Sequence, residues 1–263
     1  MSSLNTDEIV SDSPSTLYCT RCVPVCDGSR RYLRKVRAIG YKAVETIRIP
    51  GVSDDQLRKI ADDQGLRICS IHESPEAILN EPSRISDSLA GLGADFVAYP
   101  FPAGIDLSDS KQSLNLIAQL RRSSEIIARA GGRLAYHNHG LEFTRGEGKT
   151  LLELIFADAP ELYAELDTYW IQYGGGNPIT WIEKMRERLS AIHLKDYAFN
   201  AKTNRPEMAE LGHGNLDLTG ILNGAEAAGC RWFIVEQDIC PGDPFDSIQA
   251  SLNFLQNFIE LAR

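Results

Sequence analysis

Eight short runs rich in β-branched and aromatic residues recur along the chain, and a stretch with amphipathic helical spacing follows nearly every run. The predicted strands are Leu17–Val23, Tyr41–Ile47, Leu66–Ile71, Asp95–Pro100, Leu134–His137, Leu162–Leu166, Ala191–Leu194 and Trp232–Glu236. The predicted helices include Arg30–Ile39, Ser53–Gln64, Ser83–Leu92, Lys111–Ala130, Leu151–Ala157, Thr180–Arg188, Leu218–Ala228 and Asp246–Leu261. Because strands separated by helices usually pair in parallel, this alternation predicts an α/β protein.

The number of strand–helix units distinguishes two parallel architectures. An open doubly wound sheet more often stops at five or six strands, whereas eight units in a chain of 263 residues fit a closed barrel. The sequence therefore predicts a (β/α)8 TIM barrel, a single domain over residues 16–263. Residues 1–15 are polar and show no sustained periodicity, so we interpret them as a flexible N-terminal arm.

Composition and charge narrow the range of partners. The chain has 27 Lys+Arg against 36 Asp+Glu, a net charge of −9 and no basic run, which argues against nucleic acid or a membrane surface as a partner. It shows no glycine-rich phosphate loop, no membrane-spanning apolar run and no secretory signal pattern. Six cysteines are too sparse for a disulfide scaffold. We therefore expect a cytoplasmic protein that binds a small molecule.

Ionisable residues concentrate where the predicted strands end, which is where a barrel of this type carries its catalytic groups. Four of the five histidines lie there. Because residues two apart in a strand face the same way, the strand ends contribute like-facing pairs. These pairs are His137 with His139, Glu165 with Asp167, His193 with Lys195, and Glu236 with Asp238. All of them are predicted to converge at one mouth of the barrel.

Such a concentration of carboxylates is costly unless a positive charge lies among them. A divalent cation held by imidazoles and carboxylates satisfies this requirement, and the donor types suit Mn²⁺, Mg²⁺, Co²⁺, Fe²⁺ or Zn²⁺. An alternative is that Asp167 and Glu236 form structural ion pairs with Lys195 or Arg231. His213 lies in a glycine-rich loop, where it is either solvated or a substrate contact.

Several ordered motifs resemble a known family. YHNHGLEF, ELDTYW, IHLKDY, ELGHGNLDL and IVEQD, with IGYKAVE and the SIH strand, resemble the sugar phosphate isomerase/epimerase family. These xylose isomerase-like TIM barrels also include inosose dehydratases, ketose epimerases and AP endonucleases. The resemblance covers roughly residues 16–260. It is specific for the superfamily and poorly specific for the reaction.

The resemblance implies a single divalent metal ion, with Mn²⁺ the expected one, bound by a Glu, an Asp, a His and a second Glu. The matching residues are Asp167, His193 and Glu236, with Glu142 as the first ligand and His137 as the alternative. It further implies that His139 is the acid/base and that Lys195 stabilises an oxyanion, with Glu142 and Glu236 also in the catalytic set. The expected sugar contacts are Glu45, His72, His137, Asn138, Trp170 and His213.

The implied reaction is proton abstraction next to a carbonyl of a sugar, keto-sugar or inosose, which isomerises or epimerises the substrate. If a hydroxyl or a glycosidic oxygen leaves, the same chemistry gives a dehydratase or a lyase. Similar ketose epimerases carry a glutamate where this chain has His137-Asn138-His139, which favours elimination. An endonuclease is disfavoured by the net charge, and a non-catalytic sugar-binding barrel is a third alternative. The resemblance also implies a homo-oligomer.

Overall fold

The computed structural model describes residues 17–19, 27–146 and 148–261, and within them eight parallel strands close into a barrel. The barrel strands are β1 Leu17–Cys19, β2 Ala43–Ile47, β3 Arg67–His72, β4 Phe96–Tyr99, β5 Leu134–His137, β6 Tyr163–Asp167, β7 Leu189–Leu194 and β8 Trp232–Val235. Each strand pairs with the next in sequence, and β8 pairs with β1. The predicted TIM barrel is confirmed. The proposed arm, residues 1–15, lies outside the described residues.

Ten helices are described in these residues, most of them on the connections that lead from one strand to the next. They are α1 Asp27–Ile39, α2 Asp54–Asp62, α3 Pro75–Asn80, α4 Pro82–Leu92, α5 Ser110–Arg129, α6 Leu151–Asp158, α7 Thr168–Tyr173, α8 Pro178–Lys184, α9 Leu218–Ala227 and α10 Pro244–Leu261. Capping boxes begin α2, at Ser53 with Gln56, and α6, at Thr150 with Glu153. None of the helices in the described segments is long and apolar enough to cross a membrane.

Short elements in the connections were not anticipated from the sequence. Helices α3 and α7 have six residues each, too few to show a helical period. Two antiparallel hairpins also interrupt the strand–helix alternation. One pairs Arg145–Gly146 with Lys149–Thr150, and the other pairs Asp196–Asn200 with Arg205–Ala209 directly after β7.

The barrel interior is apolar at its amino-terminal end. Small side chains there, such as Ala43, Ala135 and Ala191, pack around the large rings of Phe96 and Trp232. These residues are at most 4% exposed, so they close the bottom of the barrel. We call this layer the floor. A larger apolar core lies between the strands and the surrounding helices. The polar interior therefore begins above the floor, toward the carboxyl ends of the strands.

Candidate metal centre

Carboxylates, imidazoles and one ammonium group fill the upper half of the barrel. The carboxylates belong to Glu45, Glu165, Asp167, Glu236 and Asp238, the imidazoles to His72, His137, His139 and His193, and the ammonium to Lys195. They come from β2, β3, β5, β6 and β7 and from the segments after β5, β7 and β8. The predicted convergence of like-facing strand-end pairs is thus present in the structure.

Two overlapping sets of residues in this cluster could each hold a metal ion, because one donor atom from each residue lies within 4.8 Å of the others. The inner group contains His72, His137, Glu165 and His193. The outer group contains His137, Asp167, His193 and Glu236. The imidazoles of His137 and His193 belong to both groups. The outer group is closer to the barrel mouth, because Asp167 and Glu236 are the last residue of β6 and the first after β8.

Two buried glutamates, Glu165 of the inner group and the neighbouring Glu45, contact the imidazoles of His72 and His193. His72 Nε2 lies 2.8 Å from Glu165 Oε2 and 3.0 Å from Glu45 Oε1, and His193 Nε2 lies 2.9 Å from Glu45 Oε1. Burial lowers the pKa of His72, but the charges of Glu45 and Glu165 outweigh it and raise this pKa to about 10. Burial likewise raises the pKa of Glu45, yet His72 and His193 hold it well below its usual value.

In the outer group, Asp167 has one oxygen engaged and one directed into the cluster. Its Oδ1 accepts the backbone N–H of Trp170 at 3.0 Å, which caps α7. Its Oδ2 is buried without a hydrogen bond and lies 2.9 Å from the ammonium of Lys195. Burial raises the pKa of Asp167 to about 6, in spite of the nearby charges of Lys195 and His193. His193 Nδ1 lies 2.9 Å from Glu236 Oε2, so the two side chains form one unit.

Lys195 is a buried cation that contacts three carboxylates. Its Nζ lies 2.9 Å from Asp167 Oδ2, 2.6 Å from Glu236 Oε2 and 2.8 Å from Asp238 Oδ2. Burial lowers the pKa of Lys195, but the three carboxylates outweigh it and hold this pKa far above its usual value. The side chain is therefore a fixed positive charge at the edge of the outer group. Part of the predicted alternative, ion pairing of Asp167 and Glu236 with Lys195, is present in this arrangement.

The donor set fits a divalent cation. The acidic groups outnumber the one lysine ammonium, and buried charges of one sign require compensation. One donor atom of the outer group, His137 Nδ1, is buried without a hydrogen bond, and Asp167 Oδ2 has the ammonium of Lys195 as its ion-pair partner. Buried polar atoms are rarely left unpaired, so a ligand such as a metal ion would account for His137 Nδ1. Imidazole together with carboxylate is a donor set used for Zn²⁺, Mn²⁺ and Fe²⁺.

Glu142, expected as the first ligand, is in neither group. It lies on a 3-10 turn, Leu141–Phe143, and its side chain is fully buried. Its Oε1 accepts the hydroxyl of Tyr136 at 2.9 Å, and its Oε2 accepts the backbone N–H of His139 at 2.8 Å. Burial outweighs these hydrogen bonds and raises the pKa of Glu142. The structure instead brings the alternative residue, His137, into both groups.

His139 lies at the edge of the cluster, between aromatic rings. Its ring centroid is 5.2 Å from that of Phe101 and 5.4 Å from that of Trp170. Burial and the charge of Lys195 lower the pKa of His139 to about 4, so its imidazole is neutral at neutral pH. Its Nδ1 and the Nε1 of Trp170 are both buried without a hydrogen-bond partner. A neutral imidazole in this position has the form that a base requires.

The other expected sugar contacts lie in different parts of the structure. Glu45 and Asn138 are buried, and Asn138 Oδ1 accepts the backbone N–H of Asp167 at 3.0 Å. Asn138 therefore holds β6 against the segment after β5 through its oxygen, while its Nδ2 is buried without a hydrogen-bond partner. His213 is exposed on the loop after the second hairpin, and no contact in the described part of the chain joins it to the cluster. His72, by contrast, lies in the inner group.

Two residues of the cluster were visible in the sequence but received no role there. Glu165 has a side chain that is fully buried and contacts three histidines, and Asp238 binds Lys195. The alternation rule pairs each of them with an assigned residue, Asp167 and Glu236, and this signal could have identified both.

Comparisons with known proteins agree with this architecture. A family model described as xylose isomerase-like TIM barrel matches residues 33–258. A sugar phosphate isomerase/epimerase from Parabacteroides distasonis is similar in structure, with a TM-score of 0.76, 21% identity, and coverage of 95% of this chain and 97% of that chain.

Two further solved structures are similar over most of their length. A xylose isomerase-like TIM barrel protein from Mycobacterium smegmatis in complex with magnesium has a TM-score of 0.69 and 16% identity, and the match covers 89% of each chain. A 3-keto-D-glucoside 4-epimerase from E. coli has a TM-score of 0.65 and 14% identity, with coverage of 92% of this chain and 99% of that chain. At such identities the likeness concerns the fold. A search of curated proteins found no match.

Proposed function

Because the chain belongs to the xylose isomerase-like TIM barrel family, we propose that it is a divalent-metal-dependent sugar isomerase or epimerase. Its substrate is a sugar, keto-sugar or inosose, and the reaction begins with removal of a proton next to the carbonyl group. The observation that carries the proposal is the outer group, in which His137, Asp167, His193 and Glu236 bring donor atoms within 4.8 Å of one another beside a buried lysine.

In this proposal the outer group holds the metal, with His137 in place of Glu142 as the first ligand. The outer group is preferred to the inner one because it offers two carboxylates, which suit Mn²⁺ or Mg²⁺. A bound divalent cation would polarise the carbonyl and an adjacent hydroxyl of the substrate. Lys195 lies beside the same carboxylates, so its ammonium stabilises negative charge that develops on a substrate oxygen.

We assign the proton transfer to His139. Its Nδ1 has no hydrogen-bond partner, and the rings of Phe101 and Trp170 flank the imidazole. The neutral ring can accept a proton from carbon and return it to a neighbouring carbon on the same face, which isomerises the substrate, whereas epimerisation requires a second proton donor on the opposite face. Glu236, which contacts both His193 and Lys195, orients these two groups toward the substrate.

A dehydratase or lyase reaction on an inosose or 3-keto-glycoside is the second candidate, and the position of Glu142 favours it. An epimerase that works with two glutamates needs a carboxylate on each face of the substrate. The carboxylate that follows β5 is turned to Tyr136 and the amide of His139, so this segment presents imidazoles alone. One base and one cationic acid suit the loss of a hydroxyl or glycosidic oxygen.

Metal binding by the outer group is tested by measuring the metal content of protein purified without chelator, by mass spectrometry. We expect about one divalent ion per chain in the wild type, lost in Asp167→Asn and His137→Gln and retained in Glu142→Gln, the matched control. Circular dichroism verifies that each variant is folded. A wild type that holds no metal even after incubation with Mn²⁺ would refute the proposal. Loss in Glu142→Gln with retention in His137→Gln would reverse the assignment of the first ligand.

The reaction is tested by incubating the metal-loaded protein in D₂O with ketoses, inososes and 3-keto-glycosides. NMR should show deuterium at the carbon next to the carbonyl, and His139→Asn should slow this exchange at least about 100-fold. Isomerisation and epimerisation conserve the mass of the product apart from deuterium, whereas elimination releases water or an aglycone. A wild type that binds metal but exchanges no substrate proton supports a non-catalytic sugar-binding barrel instead.

Three finer points belong to the same proposal. Mn²⁺ is the preferred metal, the protein forms a homo-oligomer, and it works in the cytoplasm. The free thiols of Cys69 and Cys230 are in keeping with a reducing compartment. Metal competition, light scattering and localisation of a fluorescent fusion test these points in turn.

A further inference from the structure

Thr168, the threonine of the ELDTYW motif, lies between the ends of β6 and β7 and is fully buried. Its hydroxyl oxygen Oγ1 accepts the backbone N–H of Lys195 at 3.0 Å and donates to the carbonyl oxygen of Lys195 at 2.7 Å. The carbonyl oxygen of His193 lies 3.1 Å from the same hydroxyl. One side chain at the start of α7 thus contacts three backbone groups at the end of β7.

The hydroxyl takes the place of a strand residue where the two strands separate. The pairing of β6 with β7 ends with Asp167 opposite His193. The chain after β6 then turns into α7, whereas the chain after β7 continues through Lys195 into the second hairpin, which begins at Asp196. Buried backbone N–H and C=O groups require partners. Thr168 satisfies both groups of Lys195, as the next residue of a longer β6 would have done.

The three backbone groups belong to the segment that carries two side chains of the cluster. His193 and Lys195 are two residues apart, so their side chains face the same way. The imidazole of His193 lies 2.9 Å from Glu236 Oε2, and the ammonium of Lys195 lies 2.9 Å from Asp167 Oδ2. Thr168 directly follows Asp167 in the chain. A single hydroxyl therefore links the segment with a carboxylate of the outer group to the segment with an imidazole and the ammonium.

We propose that Thr168 is a positioning residue of the candidate active site. Its hydroxyl holds the main chain of His193 and Lys195 so that the imidazole and the ammonium meet the carboxylates of the outer group. The consequence for metal binding rests on the proposed function. The hydroxyl is occupied by backbone groups, so Thr168 acts through the two residues that it holds. A misplacement of about 1 Å in such a group can lower a rate about 100-fold.

Three substitutions separate this role from simple packing. Thr168→Val removes the hydroxyl and keeps the shape of the side chain, whereas Thr168→Ser keeps the hydroxyl. Thr46→Val is the matched control, because Thr46 lies on β2, is 2% exposed, and has a hydroxyl without a hydrogen-bond partner among the described residues. Circular dichroism verifies that each variant is folded. If Thr168→Val does not fold, Thr168→Ala provides the same comparison.

The first measurement needs neither metal nor turnover. In protein labelled with ¹⁵N-lysine, NMR reports how fast the ammonium protons of Lys195 exchange with water, and the signal missing from Lys195→Gln identifies them. The wild type should show slow exchange, because Nζ of Lys195 is buried against three carboxylates. We expect exchange to be at least about tenfold faster in Thr168→Val. Thr168→Ser and Thr46→Val should resemble the wild type.

The second measurement concerns His193 and uses calorimetric titration of the metal-free protein with Mn²⁺. Substitution of groups that orient metal ligands typically weakens metal binding about 10- to 100-fold. We expect a loss of about tenfold or more in Thr168→Val, with wild-type affinity in Thr168→Ser and Thr46→Val. Unchanged affinity in Thr168→Val would overturn the part of the proposal that concerns His193.

Slow ammonium exchange that persists in Thr168→Val overturns the proposal, as does fast exchange in Thr168→Ser or in the wild type. A lower stability of Thr168→Val with unchanged exchange and affinity would assign the hydroxyl to packing alone and has the same consequence. A wild type that binds no Mn²⁺ refutes the proposed function instead. The ammonium measurement then still decides whether Thr168 holds Lys195, so the two failures are distinguishable.

Discussion

Asp196 organises the loop that follows the second hairpin, and replacing it with asparagine should destabilise the protein. The side chain is 1% exposed and accepts four backbone N–H groups. Its Oδ1 accepts from Tyr197 at 2.8 Å and Leu216 at 3.2 Å, and its Oδ2 accepts from Gly212 at 3.0 Å and Gly214 at 2.9 Å. An asparagine has a single acceptor oxygen. Whichever way its amide is turned, an NH₂ group faces two N–H donors.

The loss in the free energy of unfolding follows from the two hydrogen bonds that Asp196→Asn removes. Hydrogen bonds to a charged group contribute about 1.5–3 kcal/mol each, which gives roughly 3–6 kcal/mol for two. Gly212 is exposed, so water replaces part of this loss. We therefore expect the free energy of unfolding to fall by about 2–4 kcal/mol.

Urea denaturation followed by tryptophan fluorescence measures this change. Asp217→Asn is the matched control, because Asp217 caps α9 through one oxygen and asparagine caps a helix equally well. Hydrogen exchange should also accelerate at the amides of Gly212 and Gly214 in Asp196→Asn. A loss below about 1 kcal/mol with unchanged exchange would refute the reasoning from four donors on one carboxylate.

Three further substitutions test the packing around the site. Ala135→Leu should overfill the floor and lower the free energy of unfolding by about 1–3 kcal/mol in urea, whereas Ala118→Leu on the exposed face of α5 should change it little. Tyr136→Phe removes the hydroxyl that donates to the buried Glu142 carboxylate, so the free energy of unfolding should fall by about 1–3 kcal/mol. A melting temperature equal to that of the wild type would show that this hydrogen bond does not stabilise the protein. In Gly176→Ala the new methyl group would lie 2.9 Å from Ile171 and collide with Phe143, so the free energy of unfolding should fall by about 1–3 kcal/mol. Gly146→Ala is the control, because Gly146 has open space around it and its substitution should leave the stability almost unchanged.

The sequence was sufficient to predict the barrel and most of the cluster, because both follow from regular periods. Alternation along a strand places His137, Asp167 and His193 on the interior, and the structure has all three in the outer group. The predicted bounds of helices and strands differ by a few residues from those in the structure where a capping group, such as the side chain of Ser53, determines the first residue of an element.

Positions outside regular elements could not be predicted in this way. Glu142 lies five residues beyond the last residue of β5, on a 3-10 turn that directs its carboxylate back to Tyr136. No period specifies the direction of a side chain in such a turn. The second hairpin and α7 were missed for a related reason, since short elements between strands show no sustained pattern.

Irregular strand pairing also shapes the cluster without a clear mark in the sequence. The register between β2 and β3 shifts just before Glu45, and the register between β6 and β7 shifts just before Glu165. Such bulges redirect side chains locally. Both shifts immediately precede a buried glutamate that binds an imidazole, so the inner group depends on pairing details that composition and alternation do not reveal.

The floor closes the amino-terminal end of the barrel interior. With Phe96 and Trp232 sealing the bottom, the described side chains leave the cluster one route to solvent, through the mouth. Under the proposed function, a metal ion held by the outer group would have to enter before the substrate and leave after it, since the ion would be covered by what binds above it. Chelators should strip the ion from the free protein much faster than from a protein saturated with ligand. Under the proposed function, the lifetime of the bound ion would thus depend on the occupancy of the mouth as well as on the ligands of the ion.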